Sequence, residues 1–182
     1  MRADAKRNYD RIVEVARIVF REQGYDASLD EIAKRAGVGP GTLYRHFPRR
    51  DHLIDAVMQS WIDSVEDAAD QALALADSPR DLLLDWLTRY VALISLHKGG
   101  PAKITAAMDD PSSPISHKCR TLRTATDRVL ERLREQGALR DGVDALRVTR
   151  LVGGVATTAD TADLGEDDVR PMLEVVADGL LV

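Results

Sequence analysis

Ser28-Leu29-Asp30-Glu31-Ile32-Ala33-Lys34-Arg35-Ala36-Gly37-Val38-Gly39-Pro40-Gly41-Thr42-Leu43-Tyr44-Arg45-His46-Phe47 is the stretch that decides the fold. Its opening Ser-x-x-Glu pattern predicts a capping box, with the Ser28 hydroxyl taking the Glu31 amide and Glu31 reaching back. A short helix then buries Leu29, Ile32, Ala33 and Ala36. Gly37 adopts positive φ without strain, so Ala36-Gly37-Val38-Gly39 reads as a tight connection. Pro40 suits the first position of the next helix, because its missing N–H would be unpaired there anyway. That helix runs to Phe47, and Pro48 ends it. Leu29, Ile32, Ala33, Val38, Leu43 and Phe47 are spaced for one small core, and the small Ala33 lets two helices cross closely. Gly41, Thr42, Tyr44, Arg45 and His46 then face outward. Two short helices about a tight turn make a helix-turn-helix, whose second helix fits the DNA major groove with its N-terminal residues at base edges.

Working outward, Tyr9, Ile12, Val13, Ala16, Val19 and Phe20 recur at helical spacing and predict a helix that stops at Gly24. After Arg50 the character changes. Leu53, Ile54, Val57, Met58, Trp61, Ile62 and Val65 form one stripe, continued by alanines, for a long helix over 51–76. Ser78-Pro79 starts a leucine-rich helix, and Gly99-Gly100-Pro101 breaks it. Short helix 102–108, a loop from Asp109 to Pro114, a long helix from Ile115 to near Gly137, and helices near 143–162 and 166–181 complete an all-α chain. The organisation expected is a head at 5–50, with its helix-turn-helix at about 28–47, and a helical body at 51–182.

The chain has 182 residues, 30% of them charged and 4% aromatic, and a net charge of −5. Residues 1–50 carry 11 Lys or Arg against 7 Asp or Glu, whereas residues 51–182 carry 14 against 23. A head of +4 on a body of −9 suggests a polyanion-binding head. One cysteine, Cys119, excludes an intrachain disulfide framework and permits a reducing compartment, so a cytoplasmic protein is expected. The start has basic residues with no apolar stretch behind them, unlike a secretory signal. No apolar run is long enough for a bilayer span, and no membrane partner is expected. His117 and Cys119, two apart, point in different directions on a helix, so no metal site is expected. Neither a glycine-rich phosphate loop, nor His-Glu-x-x-His, nor a nucleophile elbow is present, so no enzyme and no cofactor are expected.

The quoted stretch closely resembles the signature of TetR-type regulators, and the resemblance covers roughly residues 8–60. It implies a three-helix head that binds double-stranded operator DNA as a homodimer, above a helical body with an effector pocket. By that resemblance Ser28 and Thr42 hydrogen-bond phosphates, Tyr44 and His46 clamp the backbone, and Arg50 takes the place of a phosphate-contacting lysine. Arg45 occupies the variable position that helps to read bases. Gly39 departs from the usual serine or threonine and offers no side-chain oxygen for capping or phosphate. The Lys98-Gly99-Gly100-Pro101 break and the loop after Met108 resemble the SbtR-like group of C-terminal domains.

The resemblance also implies a dimer interface built by the last two long helices. Leu151, Val152, Val155, Ala156 and Ala159 lie on one, and Met172, Leu173, Val176, Ala177 and Leu180 on the other. Gly153-Gly154 allows close helix approach, and two such helices per chain close an isologous four-helix interface. The alternative is that both stripes are buried within one body. For a small-molecule effector of unknown identity the candidate pocket residues are Met58, Trp61, Trp86, Tyr90, Met108, Cys119 and Arg123, with His97 and His117 as further polar anchors. The expected function is a ligand-responsive repressor on a palindromic operator. Its rival is a helical dimeric interaction module whose degenerate head binds no specific DNA.

Overall fold

The computed structural model describes residues 2–24, 26–75, 78–96, 98–108, 110, 112–113 and 115–182. Among them, nine helices carry the fold: α1 (Arg2–Gln23), α2 (Leu29–Arg35), α3 (Pro40–His46), α4 (Arg50–Leu75), α5 (Pro79–Ile94), α6 (Gly100–Ala107), α7 (Ser116–Glu135), α8 (Ala145–Ala162) and α9 (Glu166–Leu180). No helix is long and apolar enough to cross a membrane. The chain forms two compact units, which divide inside α4 between Asp63 and Ser64. The break expected at Arg50 comes later because Leu53 and Val57 of α4 complete the head's core.

In the first unit α1, α2, α3 and the start of α4 close around Ile12, Ala16, Val19, Ile32, Leu43 and Leu53, all fully buried. The α2–α3 turn is set by Gly37 at φ +64°. The Val38 N–H donates to the Ala33 carbonyl and the Gly37 N–H to that of Lys34, a Schellman closure that satisfies the last carbonyls of α2. Pro40 opens α3, as expected. The capping box does not form. Ser28 occupies the N-cap position without a side-chain cap bond. Glu31 turns along α2 to Arg35 instead, whose Nε donates to it at 2.8 Å.

The second unit is organised on α5. Its Leu82, Leu83, Leu84, Trp86, Leu87, Tyr90 and Ile94 are all buried. They cover most of the helix surface and leave one polar stripe through Asp81, Asp85 and Thr88, while α6, α7, α8 and α9 all pack against it. Ser78 caps α5 by accepting from the Asp81 amide at 3.1 Å. Trp86 Nε1 donates to Thr126 Oγ1 at 3.2 Å, so the largest core side chain has its polar atom satisfied. Gly99-Gly100-Pro101 opens α6 rather than only ending α5, with the Gly99 N–H donating to Asp160 of α8 at 2.8 Å. Gly153 is where α8 meets α6: a Cβ there would stand 2.5 Å from Thr105 Oγ1. The C-terminal residues tie back, Arg140 N–H to the Leu180 carbonyl and Val182 N–H to that of Ala138.

Candidate nucleic-acid interface and ligand cavity

The seven residues of α3 divide cleanly. Leu43 is buried in the head's core, as is Phe47 just beyond the helix. Gly41, Tyr44 and Arg45 are exposed on the other side, and Thr42 and His46 are half-buried. Tyr44 is 45% exposed, unusual for so large an aromatic. Nothing in the chain lies within 4 Å of a Cβ built at Gly41, so internal packing does not demand that glycine.

The charges around this face sort into used and unused. Arg35 bonds Glu22 of α1 at 2.6 Å as well as Glu31. Its bond to Glu31 holds that carboxyl below the usual carboxylate range. Arg7 pairs with Asp4 and Arg17 with Glu14. Lys34, Arg45 and Arg49 are exposed and have no ion-pair partner among the described residues. Three unpaired cations therefore stand at the end of α2, on α3 and just after it.

Ser28 is exposed. Its hydroxyl is free of a capping role. Arg50 is half-buried, and its Nη1 donates to the Ala27 carbonyl at 2.5 Å, clasping the start of α4 to the loop before α2. Tyr9, read in the sequence as a stripe residue of α1, is 39% exposed and stacks on Phe47 at 5.0 Å. It also meets the His46 ring edge-on at 6.1 Å. His46 is thus positioned by an α1 aromatic that the motif does not contain. The signal was the place of Tyr9 one turn before Ile12 on the same helix face.

In the body, Met108, Cys119 and Arg123 come together on one cavity of about 180 Å³, with Arg120, Ser116 and Thr149. Cys119 donates to the Ile104 carbonyl at 3.4 Å, and burial pushes its thiol up. Trp86 and Tyr90 do not line this cavity: both are buried on the face of α5 that packs into the body's core. Met58 and Trp61 fall in the first compact unit, where Trp61 is buried and Met58 half-buried. His117 is half-buried on the first turn of α7. His97 and Asp109 lie outside the described residues. No cluster able to hold a metal occurs among the described residues.

The interface stripe needs a larger correction. Val152, Ala159, Leu173 and Leu180 are buried inside this body, where α8 and α9 pack on each other and on α5. Leu151 remains 52% exposed. Val155 and Val176 remain half-buried. The face left open on the two helices adds Val175, 74% exposed, which the stripe had missed, and includes Gly154, which is exposed as its expected place in a close approach requires.

Two short helices closed by a Schellman turn, held on a third and presenting an exposed aromatic and an unpaired arginine, define a helix-turn-helix DNA-binding head. Comparison with known proteins agrees and goes further. Residues 12–57 match the family described as bacterial regulatory proteins, tetR family. Residues 78–182, more than half of the chain, match the SbtR-like C-terminal domain of transcriptional regulators. The chain belongs to the TetR family. A curated relative, the HTH-type transcriptional regulator SAR2658 of Staphylococcus aureus, is 34% identical over 112 residues, covering 57% of this chain and 60% of that one. A second S. aureus regulator, SAUSA300_2515, is 47% identical over 64 residues, 35% of each chain. The chain thus matches less than two thirds of either relative's length. Among solved structures, the TetR regulator SCO0520 of Streptomyces coelicolor aligns over 95% of this chain and 98% of its own at 28% identity and a TM-score of 0.71. A TetR regulatory protein of Mycobacterium vanbaalenii aligns over 100% and 99% at 29% identity and a TM-score of 0.68.

Proposed function

We propose that this protein is a ligand-responsive transcriptional repressor in the cytoplasm, not an enzyme, and that it binds a palindromic operator as a homodimer. The observation that carries the reading is the outer face of α3, where Arg45 is exposed and unpaired while Leu43 and Phe47 anchor the helix from behind. An arginine fork matches the O6 and N7 acceptors of guanine in the major groove. Lys34 and Arg49 supply charge toward the flanking phosphates, with Ser28, Thr42, Tyr44 and His46 at the backbone. Arg50, which clasps the Ala27 carbonyl, stands where the family resemblance expects a phosphate contact.

The dimer uses the open side of α8 and α9. Leu151, Val155, Val175 and Val176 supply apolar surface, and Gly154 lets two copies of α8 approach. A palindromic site read on one face of B-DNA requires the two recognition helices about 34–36 Å apart, or a multiple of that turn. The cavity beside Cys119 is the effector site. Ligand and DNA favour different conformations, so each weakens binding of the other. The continuous helix α4 is the covalent link through which they communicate.

Selection of bound duplexes from a random pool tests the reading. It should return inverted repeats, and asymmetric sites would overturn the palindrome. On the selected site Arg45→Ala should cost about 1–3 kcal/mol and relax preference at one or two base pairs per half-site. Arg50→Ala should weaken all sequences about equally and reduce the salt slope by about one unit for each phosphate it no longer neutralises. If Arg45→Ala leaves the base preferences intact, Arg45 grips the backbone and does not read.

A further inference from the structure

We propose that the cavity between α6, α7 and α8 takes a small monocarboxylate, an aromatic or branched aliphatic acid whose carboxylate is held by Arg120 and Arg123. The proposal rests on the effector-sensing reading and names the chemistry of its ligand.

The arginines of α7 fall into two groups. Arg128 is tied to Asp70, Arg132 lies 3.6 Å from Glu135, and Arg134 pairs with Glu131. Arg120 and Arg123 are the two on this helix with no ion-pair partner among the described residues, and both line the cavity. They lie three apart, so they are neighbours on one helix face. Two free guanidiniums at a concave mouth form a fork suited to a planar carboxylate.

The rest of the lining limits what the carboxylate is attached to. Ala107, Met108, Cys119 and Leu146 make the apolar part of the wall. A cavity of about 150 Å³ lined by apolar groups holds benzene. The present cavity, about 180 Å³ and open at its mouth, has room for a ring or branched chain against that wall with a polar group among the polar residues. Asp110 is the opposing charge in the lining, but its oxygen already accepts from the Ser112 hydroxyl at 2.6 Å and amide at 2.9 Å. Those bonds hold the Asp110 carboxyl below its usual range, so it stays ionised and does not take up a proton to bind a ligand acid. Two arginines against one carboxylate leave the site positive.

The test is titration calorimetry on the full chain with benzoate and isovalerate, their amides, and inorganic phosphate. The acids should bind with a dissociation constant near about 1 mM or tighter. The amides should bind at least about tenfold more weakly, since a neutral amide carries no negative charge to pair with the two guanidiniums and cannot accept from both as a carboxylate does. Arg120→Gln and Arg123→Gln should each weaken benzoate by about 10- to 100-fold while leaving benzamide binding unchanged. Both side chains are exposed, so the variants should fold. Equal binding of acids and amides overturns the proposal, as does benzoate binding that survives both substitutions. Phosphate binding as tight as benzoate also overturns it, because a bare-anion site needs no apolar wall. So does failure of both acids to bind at about 10 mM, ten times the expected constant. Operator affinity measured alongside separates the two readings. If benzoate binds through the arginines and DNA affinity does not change, the carboxylate site stands and effector sensing fails. If only a neutral compound releases DNA, sensing stands and the carboxylate assignment fails.

Discussion

The head and the body are both bundles of helices, yet their residues reach their positions by different rules. In the head the helices that bear the motif, α2 and α3, have seven residues each, and each has room for one buried stripe. Spacing alone then settles which side faces in: Leu43 and Phe47 go inside and Tyr44 and Arg45 outside. In the body the helices run to 20 residues and several carry apolar groups on more than one side. On α8, Leu151 and Val152 are adjacent, yet one is 52% exposed and the other fully buried. The neighbouring helices decide between them. A short helix declares its inward side, whereas a long helix acquires one from what packs against it.

The largest test of this contrast is in the head. Its core consists of 14 buried described residues, with Ile32 of α2 fully buried among them. Ile32→Ala should cost about 2–5 kcal/mol, and the spread reflects how far the site can collapse. That is a large share of the stability of any small unit. Amide exchange should quicken throughout α1, α2 and α3 while α5 and α7 keep their protection. If protection falls equally in both units, the two fold as one cooperative body and the contrast disappears.

A smaller effect sharpens the contrast within α8. Gly153 and Gly154 are consecutive but meet different surroundings. A methyl at Gly153 would stand 2.5 Å from Thr105 Oγ1, which is itself bonded to the Pro101 carbonyl at 2.8 Å. Gly153→Ala should therefore destabilise by about 1–3 kcal/mol through overpacking, and adding Thr105→Ala should recover part of the loss. A Cβ at Gly154 meets nothing within 4 Å in the chain. Gly154→Ala should raise the stability of a monomer by up to about 1 kcal/mol on helix propensity. Where a second copy packs on that face, the same change should weaken the dimer in sedimentation. A variant that is both more stable and fully dimeric would move the interface away from Gly154.

The same rule explains what could be read from the sequence. The element order was legible because Gly24, Ser78-Pro79, Gly99 and Gly137 punctuate the chain at helix ends. The inward residues of α2 and α3 were legible because each helix has a single stripe. The capping box was misread because Ser28-x-x-Glu31 describes local reach only. Arg35 lies one turn beyond Glu31 and offers a charged donor, which the Ser28 backbone N–H cannot match. Which stripe residues stay open was not legible, because a stripe on α8 or α9 is apolar whether it meets its own body or a second one. The burial of Trp86 and Tyr90 in the core was not legible for a related reason: aromatic character marks burial and ligand contact alike. Met108, Cys119 and Arg123 do share one cavity, yet their free neighbour Arg120 has no sequence mark that separates it from the paired arginines further along α7.

The smallest effect concerns the one polar atom the body leaves unsatisfied among its described side chains. Tyr90 is buried against Trp86, ring centroids 6.1 Å apart, and its hydroxyl has no hydrogen-bond partner. Burial, with the nearby Cys119 thiol adding to it, pushes the Tyr90 hydroxyl well above its ordinary range. A buried hydroxyl without a partner contributes nothing that a hydrogen atom would not. Tyr90→Phe should therefore be neutral or stabilising by no more than about 1 kcal/mol at pH 7. The pH dependence gives the sign independently. Because the folded state holds the proton more tightly than the unfolded chain, this group's contribution is fully present below the unfolded value of about 10 and declines as pH rises above it. Tyr90→Phe should remove that decline, so the variant should gain on the parent between about pH 9 and 11 in urea melts. A loss of more than about 1 kcal/mol at pH 7 would mean that a buried water satisfies the hydroxyl, and the enclosed side of α5 would then be wetter than its leucines imply.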